Sequence, residues 1–243
     1  MRQPRGGRES FLASAVCGTA PGATVRAGGG SGGPATRRVV ACVVTLVVGV
    51  PLLRASLTSA PGDPSFVPMT AALAVVWAVG AMAAGPVPWR GTRSGVARSL
   101  AQGLVLGAGL LVVFLVGAMV VAQVPALAGP VRELLDHARP GRVGLVALLT
   151  AVNGVAEEMF FRGALFDPSS RRPVVTTAVA YTLVTATSGI ALLALAALLL
   201  GLLTGVQRRA GGGILAPVVT HLVWSLGMLT LLPSALDLAA RLG

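Results

Sequence analysis

Seven apolar stretches, separated by short polar or charged breaks, follow one another along most of the chain. Most of them approach the roughly 20 residues that a helix needs to span a bilayer. The fifth and sixth are short and are separated only by Ser188 and Gly189, so they could form a tight helical hairpin that does not reach both membrane surfaces. The stretches cover residues 39–58, 66–85, 98–124, 143–163, 173–188, 190–206 and 213–232.

This pattern predicts an all-α fold, a polytopic transmembrane helix bundle of about seven membrane helices, with five to eight compatible with the boundaries. Small residues recur at packing spacing in two stretches, Gly103 with Gly107 and Gly201 with Gly205. Such pairs allow helix backbones to approach closely in a membrane. We therefore interpret them as helix-packing positions.

The breaks divide the chain into three parts. Residues 1–36 are rich in Gly, Arg, Ser and Pro and cannot bury enough apolar surface to fold, so we expect a disordered tail. Its apolar run at 11–16 is too short for the core of a signal peptide. Residues 37–140 are expected to form N-terminal transmembrane helices, and residues 141–235 a core that carries the buried ionisable groups.

Composition agrees with a membrane protein, because 54% of the residues are hydrophobic and only 11% are charged. The net charge of +11 comes from arginines alone, and these fall between apolar runs instead of forming a patch with aromatic residues. We therefore expect a lipid bilayer and no nucleic acid as the partner. The Ala, Gly, Val, Leu and Arg bias is typical of a GC-rich genome and suggests a bacterial plasma membrane.

The arginines also predict an orientation. With a cytoplasmic N-terminus, the alternation of spans agrees with the positive-inside rule. The cytoplasmic side then receives Arg2, Arg5, Arg8, Arg26, Arg37, Arg38, Arg90, Arg93, Arg98, Arg171, Arg172, Arg208 and Arg209. The outer side receives Arg54, Arg132, Arg139, Arg142 and Arg241. The outer loop 125–142 also contains Glu133, Asp136 and His137, which we interpret as a solvated amphipathic segment instead of a ligand site.

The strongest chemical signal is the stretch 156–163, where two adjacent acids and a base end an apolar run. A charge inside a bilayer costs roughly 2.5–3.5 kcal/mol even on insertion scales, which favours a functional reason. On a helix, Glu158 and Arg162 are four apart and can pair, whereas Glu157 lies about 100° away and stays free. Thr150 and Asn153 extend a polar stripe towards it. The alternative is a helix end whose charges reach the headgroups.

A second polar position lies in the last apolar stretch. His221 and Ser225 are four residues apart and would face the same way from one helix. An imidazole inside a membrane needs a partner, and the strong candidates in the apolar runs are the two glutamates. We therefore expect His221 to meet the Glu157 site. Cys17 and Cys42 indicate neither a disulfide nor a metal knuckle.

These motifs resemble those of the CPBP intramembrane protease family, which includes CAAX prenyl endopeptidases and bacteriocin-processing, Abi-like proteins. Glu157-Glu158 followed by Arg162 matches the family's EExxxR motif, and Phe161 to Leu165 is similar to its FRG and the apolar residues that follow. The stretch from Gly201 to His221 resembles the approach to the last motif. The similarity spans about 141–232.

Two positions depart from the family pattern. Thr185 stands where the second motif, FxxxH, has histidine, and Ser225 stands where the last motif has Asn or Asp. Hydroxyls still recur on the fifth segment at helical spacing, at Thr177, Tyr181, Thr185 and Ser188. They could face the site, or they could hydrogen-bond to their own helix, which is common for Thr in membranes.

The resemblance implies an intramembrane endopeptidase that hydrolyses membrane-associated peptides or proteins with a glutamate-activated water. We predict Glu157 as the base, Glu158 with Arg162 as the orienting pair, and His221 as an oxyanion donor or metal ligand; Thr185 and Ser225 complete the candidate site. Glu157 and His221 could hold zinc, but with one histidine replaced we do not expect tight zinc binding, and a weaker or metal-free site is favoured. Two alternatives are a catalytically impaired relative that binds or escorts membrane peptides, and a small transporter, for which the chain shows no repeat.

Overall fold

The computed structural model describes residues 33–60, 62–123 and 143–242, together with Gly129. Every regular element in these ranges is helical, as predicted. The described residues form seven α-helices and one π-helical turn: α1 (Pro34–Leu57), α2 (Phe66–Ala84), α3 (Val96–Val121), α4 (Val143–Glu158), the π-turn (Met159–Ala164), α5 (Pro173–Ala186), α6 (Ala191–Gly211) and α7 (Leu215–Leu242).

Six helical segments are long and apolar enough to cross a membrane among the described residues, α4 and the π-turn counting as one. The chain is therefore a multi-pass membrane protein built as a helical bundle. Of the two stretches expected to be short, only α5 is short, with 14 residues. The sixth was predicted to end at 206, but α6 continues to Gly211 and reaches 21 residues, because Gln207, Arg208 and Arg209 extend it as a polar last turn.

Small residues lie where helices approach most closely, which confirms the interpretation of the two glycine pairs. A Cβ atom at Gly103 of α3 would lie 2.5 Å from Val219 Cβ of α7. A Cβ at Gly201 of α6 would lie 3.2 Å from Ala178 Cα of α5. The glycines thus allow α3 to pack along α7, and α6 along α5.

Substituting Gly103 with alanine should weaken the α3–α7 contact. The new methyl group would meet the rigid, β-branched Val219, so we expect a loss of about 1–3 kcal/mol in the free energy of unfolding. Gly109→Ala on the same helix is the matched control, because a Cβ there meets nothing within 4 Å. It should be neutral or stabilising by up to about 1 kcal/mol. Unfolding of the detergent-solubilised protein in denaturant measures both, and equal effects would contradict this packing.

Arginines predicted to share one side of the membrane share one end of the bundle. Arg38 at the start of α1 donates to the carbonyl of Ala164, where the π-turn ends. Arg93 donates to the carbonyl of Arg209, at the end of α6. Arg54 and Arg241 lie at the opposite end of the bundle, near the C-terminal ends of α1 and α7. The arginine-rich end contains Arg37, Arg38, Arg90, Arg93, Arg98, Arg171, Arg172, Arg208 and Arg209.

Candidate active site

The two acids lie where α4 passes into the π-turn. Glu158 is the last residue of α4. The backbone amide of Leu165, the residue after the π-turn, donates to the carbonyl of Phe160 at 2.8 Å and closes the turn. Arg162 Nη1 lies 3.2 Å from Glu158 Oε1, and both side chains are completely buried. The pair predicted from the four-residue spacing is therefore present. Single π-turns inside α-helices are frequent at functional sites.

His221 of α7 joins this pair. Its Nδ1 lies 3.0 Å from Glu158 Oε1. Because the carboxylate paired with Arg162 can only accept, we assign the proton to Nδ1, which leaves the lone pair of Nε2 available. Nε2 lies 4.0 Å from Glu157 Oε2, so His221 lies between the two acids, as expected from the sequence.

Tyr181 of α5 completes the polar cluster. Its hydroxyl donates to Glu157 Oε2 at 2.5 Å, and the guanidinium carbon of Arg162 lies 5.0 Å from the centre of its ring. Phe161 of the π-turn packs against the same ring with a centroid distance of 4.7 Å. These contacts fix the direction of the Tyr181 hydroxyl, so Glu157 is held from one side while its side chain keeps 14% exposure.

The other hydroxyls of α5 do not reach the acids. Thr185 Oγ1 donates to the carbonyl of Tyr181, Thr177 Oγ1 to that of Pro173, and Ser188 Oγ to that of Thr185. Of the two interpretations of this stripe, the one in which hydroxyls bond to their own helix is correct for these three side chains. Thr185 therefore does not replace the missing histidine by direct contact.

Several buried polar atoms near the acids lack a hydrogen-bond partner within the described part of the chain. They are Glu158 Oε2, the Nε, Nη1 and Nη2 atoms of Arg162, and Ser225 Oγ. The 3.2 Å contact of Nη1 with Glu158 is an ion pair but not a hydrogen bond. Buried polar groups are nearly always paired with protein or water, so this cluster has hydrogen-bonding capacity for ordered water or for a bound peptide. Asn153 Oδ1 on α4 also lacks a partner, whereas the amide nitrogen of this side chain donates to the carbonyls of Thr70 and Leu149 and so ties α4 to α2.

Residues 139–227 match the family model described as type II CAAX prenyl endopeptidase, Rce1-like. The chain carries an Rce1-like domain. The domain runs from just before α4 into α7 and includes Glu157, Glu158, Arg162 and His221. The match confirms the resemblance to CPBP proteases over this part of the chain. Comparison with curated proteins and with solved structures gives no match.

Metal ligands are sparse in the Rce1-like domain. Within the described residues, no three His, Cys, Asp or Glu side chains form a group that could hold a metal ion. Glu157 and His221 Nε2 point towards a common space, but Glu158 Oε1 is already bound by Arg162 and His221. Catalytic zinc has three protein ligands in general, so this donor set does not fit it. Glu133, Asp136 and His137 lie outside the described residues.

Gly154 is a site residue that could not be selected from the sequence pattern. It lies on α4 one turn before Glu158, and a Cβ there would come within 3.3 Å of His221 Cδ2 and 3.5 Å of Nε2. The missing side chain lets the imidazole of the Rce1-like domain lie flat against α4. A glycine in a buried helix interior is the only available signal, and many glycines of this chain share it.

Alanine at Gly154 should therefore displace His221. We expect kcat of peptide hydrolysis to fall by about tenfold or more, because sub-ångström to 1 Å misplacements of catalytic groups have effects of up to about 10²-fold. Gly144→Ala on the same helix is the control, since a Cβ at Gly144 meets nothing within 4 Å. Unchanged hydrolysis in Gly154→Ala, together with a folded protein, would show that the contact does not position the imidazole.

An apolar groove of about 580 Å³ lies beside this cluster and not within it. Met159 of the π-turn is the residue that connects the groove to the acids. The other lining residues are Arg37 near the start of α1, Met82 near the end of α2, and four residues of the connection from α2 to α3, Gly85, Pro86, Val87 and Trp89. The groove therefore does not supply the groups that carry the chemistry.

Proposed function

We propose that the protein is an intramembrane endopeptidase that hydrolyses peptide bonds of membrane-associated substrates with a water activated by Glu157. The proposal rests on a facing pair of acceptors, Glu157 Oε2 and His221 Nε2, which lie 4.0 Å apart in the buried polar cluster of the Rce1-like domain. Each of the two side chains is oriented by a further hydrogen bond. Tyr181 donates to Glu157, and Glu158 accepts from His221 Nδ1.

A separation of 4.0 Å suits one shared water. A water oxygen about 2.8 Å from both acceptors would see them at an angle of about 90°, close to the angle between its two O–H bonds. One hydrogen then points to Glu157 and the other to His221. The oxygen lone pairs point away from both, towards a carbonyl carbon brought alongside.

The reaction balances with these groups alone. Glu157 takes one proton from the water while the oxygen forms a bond to the carbonyl carbon of the scissile peptide, which gives a tetrahedral oxyanion. When the carbon–nitrogen bond breaks, the protonated Glu157 returns that proton to the leaving nitrogen. The products are a new carboxyl terminus and a new amine.

The developing oxyanion needs a donor, and Ser225 supplies one in this proposal. Its Oγ is buried and lacks a partner among the described residues, and it lies one helical turn beyond His221. Removal of one such donor in other hydrolases costs about 10²–10³-fold in kcat. Arg162 acts differently, because its ion pair with Glu158 orients the carboxylate that accepts from His221 Nδ1.

We further propose that hydrolysis is metal-free, since the described donors do not fit catalytic zinc. Preincubation with 1,10-phenanthroline, followed by removal of the chelator, should change the hydrolysis rate by less than about twofold. An untreated sample and one supplemented with Zn²⁺ are the controls. Loss of activity on chelation that Zn²⁺ restores would overturn this part of the proposal and would point to ligands from residues outside the described ranges.

The distribution of arginines indicates how the bundle is oriented in the membrane. We propose that the end holding Arg38, Arg93 and Arg208 faces the cytoplasm of a bacterial cell, which agrees with the positive-inside rule. The acids then lie in the cytoplasmic half of the bundle. Substrates would present their scissile bonds from that side.

A non-catalytic role in binding or escorting membrane peptides is the competing function. It is favoured by one observation, that Thr185 bonds to its own helix, so that His221 is the single histidine of the cluster within the described ranges. Such a protein would bind peptides through the same unpaired groups without cleaving them. Retention of both acids, Arg162 and His221 in one cluster favours the enzyme.

The test uses purified full-length protein in liposomes, incubated with a pool of synthetic transmembrane peptides. Mass spectrometry detects new peptide termini. Wild type should generate them and His221→Gln should not, whereas His137→Gln, which changes the other histidine of the chain, should match wild type. Saturable peptide binding by wild type without any new terminus would support the escort function instead.

A further inference from the structure

The carbonyl end of the π-turn is held by two arginines from other helices. Arg208 Nε of α6 donates to the carbonyl of Arg162 at 2.8 Å. Arg38 of α1 donates through Nε to the carbonyl of Ala164 at 2.7 Å and through Nη2 to that of Phe166 at 2.8 Å. The carbonyls of every second residue from Arg162 to Phe166 thus accept from guanidinium groups of α1 and α6.

The carbonyls of Arg162 and Ala164 are among those that a helix end leaves without partners in its own helix, and Phe166 follows two residues after the turn. Because the last carbonyls also carry the negative end of the helix dipole, a guanidinium there is favourable on both counts. Hydrogen bonds from charged donors are shorter and stronger than neutral ones. Arg208 is buried and stacks on the ring of Phe166 at 5.2 Å, so its direction is fixed.

We propose that Arg38 and Arg208 are positioning residues that hold the π-turn in the register needed by the acid pair. The chain of contacts is short. Arg208 binds the backbone of Arg162, the Arg162 side chain contacts Glu158, and Glu158 accepts from His221 Nδ1. Displacement of the turn would therefore rotate Arg162 away from Glu158 and release the imidazole. This inference rests on the proposed function, since it assigns a role in preparing the water-binding pair.

The chain supplies matched controls for both positions. Arg37 precedes Arg38 and Arg209 follows Arg208, and both controls have exposed side chains that make no hydrogen bond in the described structure. Lysine at each of the four positions keeps the net charge and the membrane-surface preference. It loses the planar fork with which Arg38 reaches two carbonyls.

The readout is the Nδ1–H signal of His221 in protein labelled with ¹⁵N-histidine in lipid nanodiscs. Its assignment comes from its disappearance in His221→Gln. Arg38→Lys and Arg208→Lys should each make this proton exchange with water about tenfold faster or more, as expected from the loss of a charged hydrogen bond. Arg37→Lys and Arg209→Lys should leave it unchanged. If one lysine variant fails to fold, Arg38→Gln and Arg208→Gln, which can each donate to one carbonyl, replace it.

An unchanged His221 signal in folded Arg38→Lys and Arg208→Lys would overturn the inference. If the two arginines served stability alone, their substitution would lower the unfolding midpoint but leave the exchange of this proton unchanged. The signal is independent of substrate, so the result differs from a failure of the proposed hydrolysis. With a peptide that wild type cleaves, the same variants should lower kcat by about tenfold and leave KM nearly unchanged, since neither arginine contacts the substrate.

Discussion

Glu157→Gln is expected to lower kcat for peptide hydrolysis by about 10²–10⁴-fold, the contribution typical of a positioned general base. Glutamine keeps the shape of the side chain and can still accept from the Tyr181 hydroxyl, but it cannot take the proton from water. KM should change little, because the acid acts on water and not on the bound peptide. Steady-state cleavage of one defined transmembrane peptide measures both constants.

The control for this prediction is Asp237→Asn, which removes an exposed carboxylate from α7 beyond the acid cluster. It should retain wild-type kcat and KM. Comparable losses in the two variants would indicate a general effect of negative charge. Full activity in Glu157→Gln would remove Glu157 from the mechanism.

Arg162→Met should lower the free energy of unfolding by about 3–5 kcal/mol, because it leaves the carboxylate of Glu158 buried without its cation. Glu158 and Arg162 are both completely buried, so solvent cannot screen the remaining charge. The methionine fills a similar volume, which separates the charge effect from a cavity effect. Denaturant titration in micelles, followed by helical circular dichroism, gives the value.

The double variant Glu158→Gln, Arg162→Met tests the same charge balance from the other direction. It removes both charges, so it should be more stable than Arg162→Met alone, although its activity should stay low because a neutral amide oxygen is a weaker acceptor for His221 Nδ1–H than a carboxylate. Replacing a whole buried ion pair is often nearly neutral, whereas breaking one is not. A double variant as unstable as the single one would mean that the arginine contributes through packing against Tyr181 and Phe161 alone.

The helical membrane fold and the central acid pair could be predicted from the sequence because both depend on local spacing. Apolar runs near the length of a bilayer span indicate membrane helices, and residues four apart share a helix face. The meeting of His221 with the glutamates could also be predicted, since an imidazole within an apolar helix needs a partner. None of these inferences depends on how α4 and α7 cross.

Features that arise from helix packing could not be predicted. Gly154 matters because α7 approaches α4 at that one turn, and nothing in the spacing of α4 distinguishes it from Gly144. Arg38 was assigned only to a membrane side, yet it reaches the π-turn more than a hundred residues later in the chain. The π-turn itself inserts one residue into a helical register that the sequence pattern shows as continuous.

The hydroxyls of α5 show a further limit of periodicity. Four polar residues at helical spacing share a face, but only Tyr181 has a side chain long enough to leave its own helix and reach Glu157. The shorter threonine and serine side chains find acceptors three or four residues back instead. Side-chain length, and not the stripe, determines which group enters the site.

Cleavage in H₂¹⁸O reports directly on water activation by Glu157 and His221. Liposomes containing wild-type protein are incubated with transmembrane peptides in labelled water, and the new carboxyl termini are examined by mass spectrometry. We expect incorporation of one oxygen-18 atom at each new terminus in wild type, and no new termini with Glu157→Gln or His221→Gln. Absence of labelled termini in wild type, or equal labelling in the Glu157→Gln variant, would contradict this expectation.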